Sequence, residues 1–365
     1  MAYKELFILN KYRGASYQVT FYKEGTKVKK TLKPSKPHLY NGGEESLFKV
    51  DLDKYDRVII NVDGFKSLPI YLNEFTPDLY FIKPKKDEEY LNVLYYLHKV
   101  KKTGKIETLS YRSKKLSFRK YYLKAYVYSL TEDKNKPYSL IIGYDGQNLF
   151  SKNGVGKYAK GDPYGSWQLD LVLNKVQKIT HKNYLVVSVD NATYYREKEL
   201  MVEPSFGKIN KEVADNSIHY HGRLTSLNDF ILNDILEDVK KKYKIDFDDV
   251  GIIGSSMGGI ASFYTALVHN DLFKYAIPLS PALLFFDPKD YEKIYKEPLP
   301  KMYIGGGYRD ELEQNLMDYV NKYIPHLDKH YSKENYRYQF VKPYNHNEIA
   351  WRYFLTDAFT YLLKK

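Results

Sequence analysis

The stretch of residues 249–259 constrains this chain more than any other, and it reads Asp-Val-Gly-Ile-Ile-Gly-Ser-Ser-Met-Gly-Gly. The apolar run Ile260–His269 follows it at once. A short β-type run therefore ends in a turn of small residues and passes into a helix, which is the context that a G-x-S-x-G nucleophile elbow needs. Gly254 and Gly258 let the strand turn sharply and let neighbouring backbone pass close by. The pattern points to Ser256 as a candidate nucleophile.

The adjacent serine, Ser255, lacks glycines at the same offsets, where Ile253 and Met257 stand instead. A tight strand-to-helix turn whose glycines serve packing alone would have the same local pattern. The two interpretations differ in what else they require, because a serine hydroxyl is a weak nucleophile by itself. A catalytic serine needs a histidine base, a carboxylate that orients the histidine, and donors for the developing oxyanion.

From residue 106 onward, short apolar runs alternate with amphipathic segments. Runs without alternating polar residues are typical of strands buried on both faces of a parallel sheet. The strands are predicted at Thr108–Arg112, Tyr121–Ser129, Tyr138–Tyr144, Tyr184–Asp190, Val250–Ile253, Tyr275–Pro278, Lys301–Gly305 and Tyr336–Val341. Apolar residues at helical spacing predict helices over Ser226–Lys242 and Glu311–Ile324. With the elbow after the fifth of eight strands, this alternation predicts an α/β-hydrolase fold, a mostly parallel sheet with helices on both faces.

Residues 1–103 have a different, β-rich pattern, with alternating runs separated by Gly, Pro, Asn and Asp. The runs are Tyr17–Tyr22, Lys27–Leu32, Arg57–Val62 and Leu79–Ile82. Short strands at this spacing predict a small β-sandwich. The polar stretch 99–105 is the best boundary, so we assign 1–103 to an N-terminal module and 104–365 to the catalytic domain. We expect the module to pack against the catalytic domain or to shape the entrance of its site.

The loops after the last two predicted strands supply the partners that a catalytic serine needs. Residues 306–311 read Gly-Gly-Tyr-Arg-Asp-Glu, and residues 343–348 read Pro-Tyr-Asn-His-Asn-Glu. Both loops lie at the carboxyl ends of strands, where α/β sheets place their chemistry. His346 would accept the serine proton, while Asp310 would hold the imidazole tautomer and stabilise the imidazolium. Glu311 is the alternative acid; Asp310 is favoured because a carboxylate at position 311 suits the start of the following helix.

The formal net charge of +12 raises the question of a nucleic-acid or membrane partner. The lysines are scattered among Asp and Glu, and the densest run, residues 240–244, lies at a predicted helix end where cations suit the dipole. We therefore expect a solvated lysine-rich surface, no nucleic-acid partner and no membrane partner. The sequence leaves the oligomeric state open.

The 365 residues include no cysteine, which excludes disulfides, thiolate metal sites and cysteine catalysis. No apolar run approaches the roughly 18–20 residues of a membrane span, and the run Leu6–Leu9 is too short for a signal peptide. We expect a cytoplasmic protein. His219 and His221 have zinc-like spacing without a third ligand nearby, and the glycines at 154 and 156 lack the context of a dinucleotide site. We predict neither a metal nor another cofactor.

Several motifs together resemble the putative-esterase family of α/β hydrolases, which includes esterase D, feruloyl esterases, enterochelin-type siderophore esterases and the antigen 85 mycolyltransferases. The motifs are Tyr144–Phe150, Gly165–Trp167, Val187–Asn191 with Arg196, Gly254–Gly259, Leu279–Ala282 and His346–Trp351. The resemblance covers about residues 105–363. It implies that the backbone N–H groups of Met257 and Gln147 form the oxyanion hole, an arrangement that independently suits acyl transfer.

The insertions at 191–222 and 285–300 do not match one subfamily, so the resemblance leaves the substrate open. We predict a serine carboxylesterase that hydrolyses a small-molecule ester through an acyl-enzyme on Ser256, with a Ser-Asp-His triad. A siderophore trilactone esterase is one alternative on the same scaffold, because a β-module before the hydrolase domain resembles the arrangement of the enterochelin-type enzymes. An acyltransferase is another. An alternative of another class is a non-catalytic binding protein.

Overall fold

The computed structural model describes residues 3–12, 14–34, 38–40, 43–67, 69–72, 78–84, 91, 93–96, 104–117, 119, 122–131, 136–150, 166–210, 221–308, 311–341 and 344–363. The chain divides into two compact units, Met1–Lys101 and Lys102–Lys365. Each unit has its own sheets and its own buried core.

The first unit contains two sheets whose strands are mostly antiparallel. Its strands are β1 (Tyr3–Asn10), β2 (Tyr17–Tyr22), β3 (Lys29–Leu32), β4 (His38–Tyr40), β5 (Gly43–Asp51), β6 (Arg57–Val62), β7 (Phe65–Lys66), β8 (Ile70–Tyr71), β9 (Asp78–Phe81) and β10 (Val93–Tyr96). One sheet has the order β10-β9-β1-β5-β4, and the other has β3-β2-β6-β7 with β8 beside β6. The rings of Tyr17 and Phe81 meet edge to face at 5.0 Å, and those of Phe21 and Phe48 lie 5.8 Å apart. Both contacts join a strand of one sheet to a strand of the other.

The second unit is built on one eight-stranded sheet with the order β11-β12-β14-β13-β15-β16-β17-β18. The strands are β11 (Lys105–Tyr111), β12 (Leu123–Ser129), β13 (Tyr138–Gly143), β14 (Asn183–Val189), β15 (Ile245–Ser255), β16 (Tyr275–Leu279), β17 (Lys301–Gly307) and β18 (Tyr336–Val341). All pairs from β14 to β18 are parallel, while β12 is antiparallel to both of its neighbours. The prediction of an α/β fold with a mostly parallel sheet is confirmed.

Helices connect these strands, as the alternating pattern predicts. They are α1 (Leu169–Thr180), α2 (Arg196–Leu200), α3 (Leu224–Phe230), α4 (Leu236–Lys240), α5 (Met257–Val268), α6 (Pro288–Tyr291), α7 (Glu311–His330) and α8 (Glu348–Leu363), and a π-helical turn, Ile231–Ile235, joins α3 to α4. Each residue of β13 and β14 is buried, which explains their mostly apolar sequences. Helix α5 is buried along most of its length, and its contacts with β15 and β16 place its first turn at the carboxyl edge of the sheet.

A buried ion-pair cluster fixes the segment after β14 against the start of β12. The Arg119 side chain donates to an Asp190 carboxylate oxygen at 2.9 Å and to both oxygens of Glu199, which is fully buried. The backbone N–H of Ala192 also donates to Glu199, at 2.9 Å. Removing one member of such a cluster leaves an uncompensated charge in the interior.

We expect Arg119→Met to lower the free energy of unfolding by about 3–5 kcal/mol, because Glu199 then stays buried without its cation. The matched control is Lys242→Met, since Lys242 is exposed and pairs at 2.8 Å with Glu107, which is only half-buried. Urea denaturation followed by circular dichroism measures both variants. Equal stability losses in the two variants would contradict the role of the buried cluster.

Candidate active site

Ser256 lies in a strained turn between β15 and α5. Its backbone has φ 56° and ψ −118°, a region that non-glycine residues rarely adopt. The turn is fixed on both sides, because the Ser256 N–H donates to the Leu279 carbonyl of β16 at 2.9 Å and the Ser256 carbonyl accepts from the Gly259 N–H at 2.9 Å. The side chain is half-buried, so solvent or a small molecule can reach it. This is the geometry that the elbow motif predicts.

The glycines of the motif are required by the close approach of two backbone segments. A Cβ atom on Gly254 would lie 2.0 Å from the carbonyl oxygen of Gly258. A Cβ atom on Gly258 would lie 3.0 Å from a carboxylate oxygen of Asp145. Any side chain at position 254 therefore pushes the end of β15 away from the first turn of α5, on which the orientation of Ser256 depends.

The two predicted oxyanion donors, the backbone N–H groups of Met257 and Gln147, lie near the carboxyl ends of adjacent strands. Met257 is the first residue of α5, and the first N–H groups of a helix have no acceptor within it. Gln147 lies in a 3-10 turn, Gly146–Asn148, three residues beyond the end of β13. Strands β13 and β15 are paired in parallel register, with Gly143 opposite Ile253. Both predicted oxyanion donors thus belong to turns that leave the same edge of the sheet.

Chain order makes this edge a topological switch point. β13 and β15 are neighbours, and the chain leaves β13 toward β14 on one side but leaves β15 toward β16 on the other side. Open α/β sheets bind their ligands in the crevice at such a point. The turns that carry Gln147 and Ser256 flank this crevice.

A charged cluster supports the turn after β13. Asp145 is buried and accepts from the Arg196 guanidinium through both oxygens, at 2.9 and 2.8 Å, and from the side-chain amide of Asn191 at 2.6 Å. Burial opposes ionisation, but these donors outweigh it and lower the pKa of Asp145 below its ordinary value. The Asn191 backbone N–H donates to the Gln147 side chain at 3.2 Å. The Asp145–Arg196 ion pair, together with Asn191, therefore holds the turn that carries Gln147 in place.

His346 follows β18, at the same edge as Ser256. The strand pairings place Ser255 opposite Leu279 and Leu279 opposite Gly305. The Tyr308 N–H donates to the Tyr344 carbonyl at 3.1 Å, which ties the loop after β17 to the loop after β18. The elbow and the histidine loop thus leave the carboxyl ends of parallel strands in one sheet.

The carboxylate next to His346 among the described residues is Glu313. Its Oε1 atom lies 3.4 Å from His346 Nδ1, and the Glu313 side chain is fully buried. The Ser280 hydroxyl donates to the same Oε1 at 2.6 Å, and the Trp351 indole N–H donates to the Ser280 hydroxyl at 3.1 Å. The Trp351 and His346 rings meet edge to face at 5.1 Å. The Glu313 carboxylate and the imidazole are therefore held by the same small network.

Asp310, the predicted triad acid, lies outside the described residues, and its role stays a prediction. Glu311 is the first residue of α7 and is exposed, as expected for a helix-opening carboxylate. Glu313 was not predicted, although the sequence carries a signal for it. It lies on the same helical face as Leu316, Met317 and Val320, which are all buried. A carboxylate on the apolar face of a helix indicates a buried polar partner.

The described residues hold no group of three or more His, Cys, Asp or Glu side chains that could bind a metal ion. His219 and the glycines at 154 and 156 lie outside the described ranges. In the part of the chain that the structure describes, no helix is both long enough and apolar enough to cross a membrane.

Residues 207–359 match the family model described as putative esterase. This segment contains Ser256, Glu313 and His346. The match confirms the resemblance predicted from the motifs and identifies the chain as a carboxylic ester hydrolase. No curated protein matches the sequence.

Solved structures with a similar fold include three hydrolases. The siderophore hydrolase EstB from Aspergillus nidulans has a TM-score of 0.51 at 13% identity, with 70% of this chain and 94% of that chain covered. The siderophore hydrolase EstA from the same organism has a TM-score of 0.51 at 11% identity, with 71% of this chain and 94% of that chain covered. The ferric enterobactin esterase (Fes) from Salmonella typhimurium has a TM-score of 0.51 at 10% identity, with 95% of this chain and 89% of that chain covered. At these identities the similarity concerns the fold.

We expect Gly254→Ala to lower kcat by at least about 100-fold, because the added methyl group displaces the first turn of α5 and misplaces the Ser256 hydroxyl. Gly64→Ala is the control, because it adds a methyl group to a glycine of the first unit with φ +86°, where no atom lies within 4 Å of the added Cβ. It therefore strains the backbone without a steric clash at the elbow. Ester hydrolysis rates and melting temperatures of both variants are compared. A fully active Gly254→Ala would show that the elbow tolerates a side chain there.

Proposed function

We propose that the protein is a serine carboxylesterase that hydrolyses a small-molecule carboxylic ester through an acyl-enzyme on Ser256. The observation that supports the proposal most strongly is the strained Ser256 at the start of α5, at the same sheet edge as the His346 and Glu313 contact.

The predicted localisation in the cytoplasm and the absence of nucleic-acid partners stay predictions. The β-sandwich assignment of the N-terminal module is likewise a proposal, supported by the ring contacts between its two sheets.

In the proposed reaction, His346 takes the proton of the Ser256 hydroxyl as the oxygen attacks the ester carbonyl carbon. Nδ1 of His346 faces Glu313, which leaves Nε2 for the serine. The negative oxygen of the tetrahedral intermediate accepts hydrogen bonds from the N–H groups of Met257 and Gln147. His346 then protonates the leaving alkoxide, and the alcohol departs. Water, deprotonated by His346, attacks the acyl-enzyme and releases the carboxylic acid and free Ser256.

We expect Ser256→Ala to lower the hydrolysis of a short-chain aryl ester by several powers of ten, because the nucleophile is lost. Ser255→Ala is the matched control, since it removes the neighbouring hydroxyl at a buried position without a catalytic role in this scheme. Release of the aryl alcohol measures the rate. Equal rates for wild type and Ser256→Ala would rule out the proposed mechanism.

Two carboxylates are candidates for the residue that orients His346. The sequence pattern favours Asp310, while the described contact with Nδ1 favours Glu313. A carboxylate in this position holds the correct imidazole tautomer and stabilises the imidazolium. Glu313 also accepts from Ser280, so its carboxylate is already oriented before substrate binds.

We expect Glu313→Gln to lower kcat by about 10,000-fold, because an amide in contact with Nδ1 cannot stabilise the imidazolium. Glu311→Gln is the control on the same helix, and its exposed side chain makes near-normal activity the expected result. Asp310→Asn is measured beside them, with circular dichroism to verify folding. A near-normal Glu313→Gln together with an inactive Asp310→Asn would assign the acid to Asp310.

The alternatives on this scaffold differ in substrate and acceptor. A siderophore trilactone is supported by the match of the Salmonella ferric enterobactin esterase to 95% of this chain, and a trilactone ester included in the substrate set tests it. Acyl transfer requires an acceptor pocket that excludes water. Hydrolysis that is unaffected by every added alcohol would leave no support for it. A non-catalytic binding protein, the alternative of another class, predicts no ester hydrolysis above the Ser256→Ala background.

A further inference from the structure

The second unit contains a cavity of about 410 Å³ at the edge of the sheet opposite to Ser256. Tyr275 and Lys301, the first residues of β16 and β17, line it, and they are paired across the two strands. Four residue steps separate Tyr275 from Leu279 at the other end of β16, which is about 13 Å at the rise of a β-strand. The cavity is therefore distinct from the proposed active site.

The Tyr275 side chain is built into the wall of this cavity. It is 4% exposed, and its ring occupies the space beside Gly251, where an added Cβ would lie 2.0 Å from the ring. The phenol oxygen has no hydrogen-bond partner among the described residues. Burial raises the pKa of Tyr275 well above its usual value, and Asp249 and Tyr184 add to the shift, so the hydroxyl stays neutral and keeps its proton. A buried hydroxyl without a partner is costly, so an acceptor bound in the cavity would be stabilised by this donor.

The charged side chains around the cavity are three lysines and one aspartate. Asp249 lies 2.6 Å from the Lys182 ammonium and accepts from the Ser139 hydroxyl, so one anion balances one cation. Lys274 donates to the carbonyl oxygen of Asp271 at 2.8 Å, which leaves its charge unbalanced by that contact. Lys301 is exposed at the cavity. The lining therefore carries an excess of about two positive charges together with a neutral hydroxyl donor.

We propose that this cavity binds a small dianion with carboxylate or phosphate groups, whose oxygens accept from the Tyr275 hydroxyl and are neutralised by Lys274 and Lys301. Such a ligand supplies the acceptor that the phenol lacks and balances the two cations. The volume of about 410 Å³ lies within the range of small-molecule sites.

The test uses inorganic phosphate and malonate as probes, titrated into the full chain by calorimetry at constant ionic strength, with chloride as the reference anion. We expect saturable one-to-one binding of at least one dianion. Tyr275→Phe and Lys301→Gln should each weaken that binding by about tenfold or more, because each removes one contact to a charged ligand. The matched controls are Tyr331→Phe, which removes another buried phenol outside the cavity lining, and Lys241→Gln, which removes an exposed cation elsewhere.

The melting temperature supplies a second readout for the phenol. Without ligand, Tyr275→Phe should be as stable as wild type or more stable, because it removes a buried hydroxyl that has no partner. With saturating dianion, wild type should gain more stability than the variant. Binding that only phosphate shows would assign the site to phosphate groups, and binding that only malonate shows would assign it to carboxylates. The absence of saturable binding by both probes would overturn the proposal. Binding by Tyr275→Phe and Lys301→Gln that is as tight as binding by wild type would overturn it as well.

Discussion

The close packing of β15 against the first turn of α5 is the constraint on which the rest of the site depends. A Cβ atom added to Gly254 would lie only 2.0 Å from the Gly258 carbonyl oxygen, so the strand and the helix can approach this closely only without a side chain there. The chain passes from strand to helix through a single residue, Ser256. The positive φ of that residue costs of order 1–3 kcal/mol, which the buried helix and the flanking backbone hydrogen bonds offset. The strain orients a nucleophile and exposes the free N–H groups of the helix start beside it.

The remaining parts of the site are positioned by the register of the parallel sheet. Because β13, β15, β17 and β18 end at one edge, loops that are distant in the sequence meet there. Ser280 follows β16 at this edge and joins Trp351 of α8 to Glu313 of α7 through its hydroxyl. One buried hydroxyl thus connects two helices, and through Glu313 it connects them to the histidine loop.

Strands β13, β14 and β16 were predictable because every residue in them is buried and their sequences are mostly apolar. The predictions failed where polar residues are buried in pairs. Strand β5 contains Glu45, which is buried and lies 2.8 Å from His38, so its sequence has a charged residue at an interior position. Helix α7 continues to His330 past Pro325, because Leu327 and the rest of the apolar face remain packed. Glu313 was missed for the same reason as β5, since its partners come from other elements.

Labelling with a fluorophosphonate, followed by intact-mass analysis and peptide mapping, tests most directly whether Ser256 is an activated nucleophile. A nucleophile activated by the elbow and by His346 reacts with this electrophile, whereas an ordinary serine does not. We expect one adduct per chain on Ser256, lost in His346→Ala and retained in Ser255→Ala. No adduct, or labelling that persists on another residue in Ser256→Ala, would contradict the assignment of Ser256 as the nucleophile.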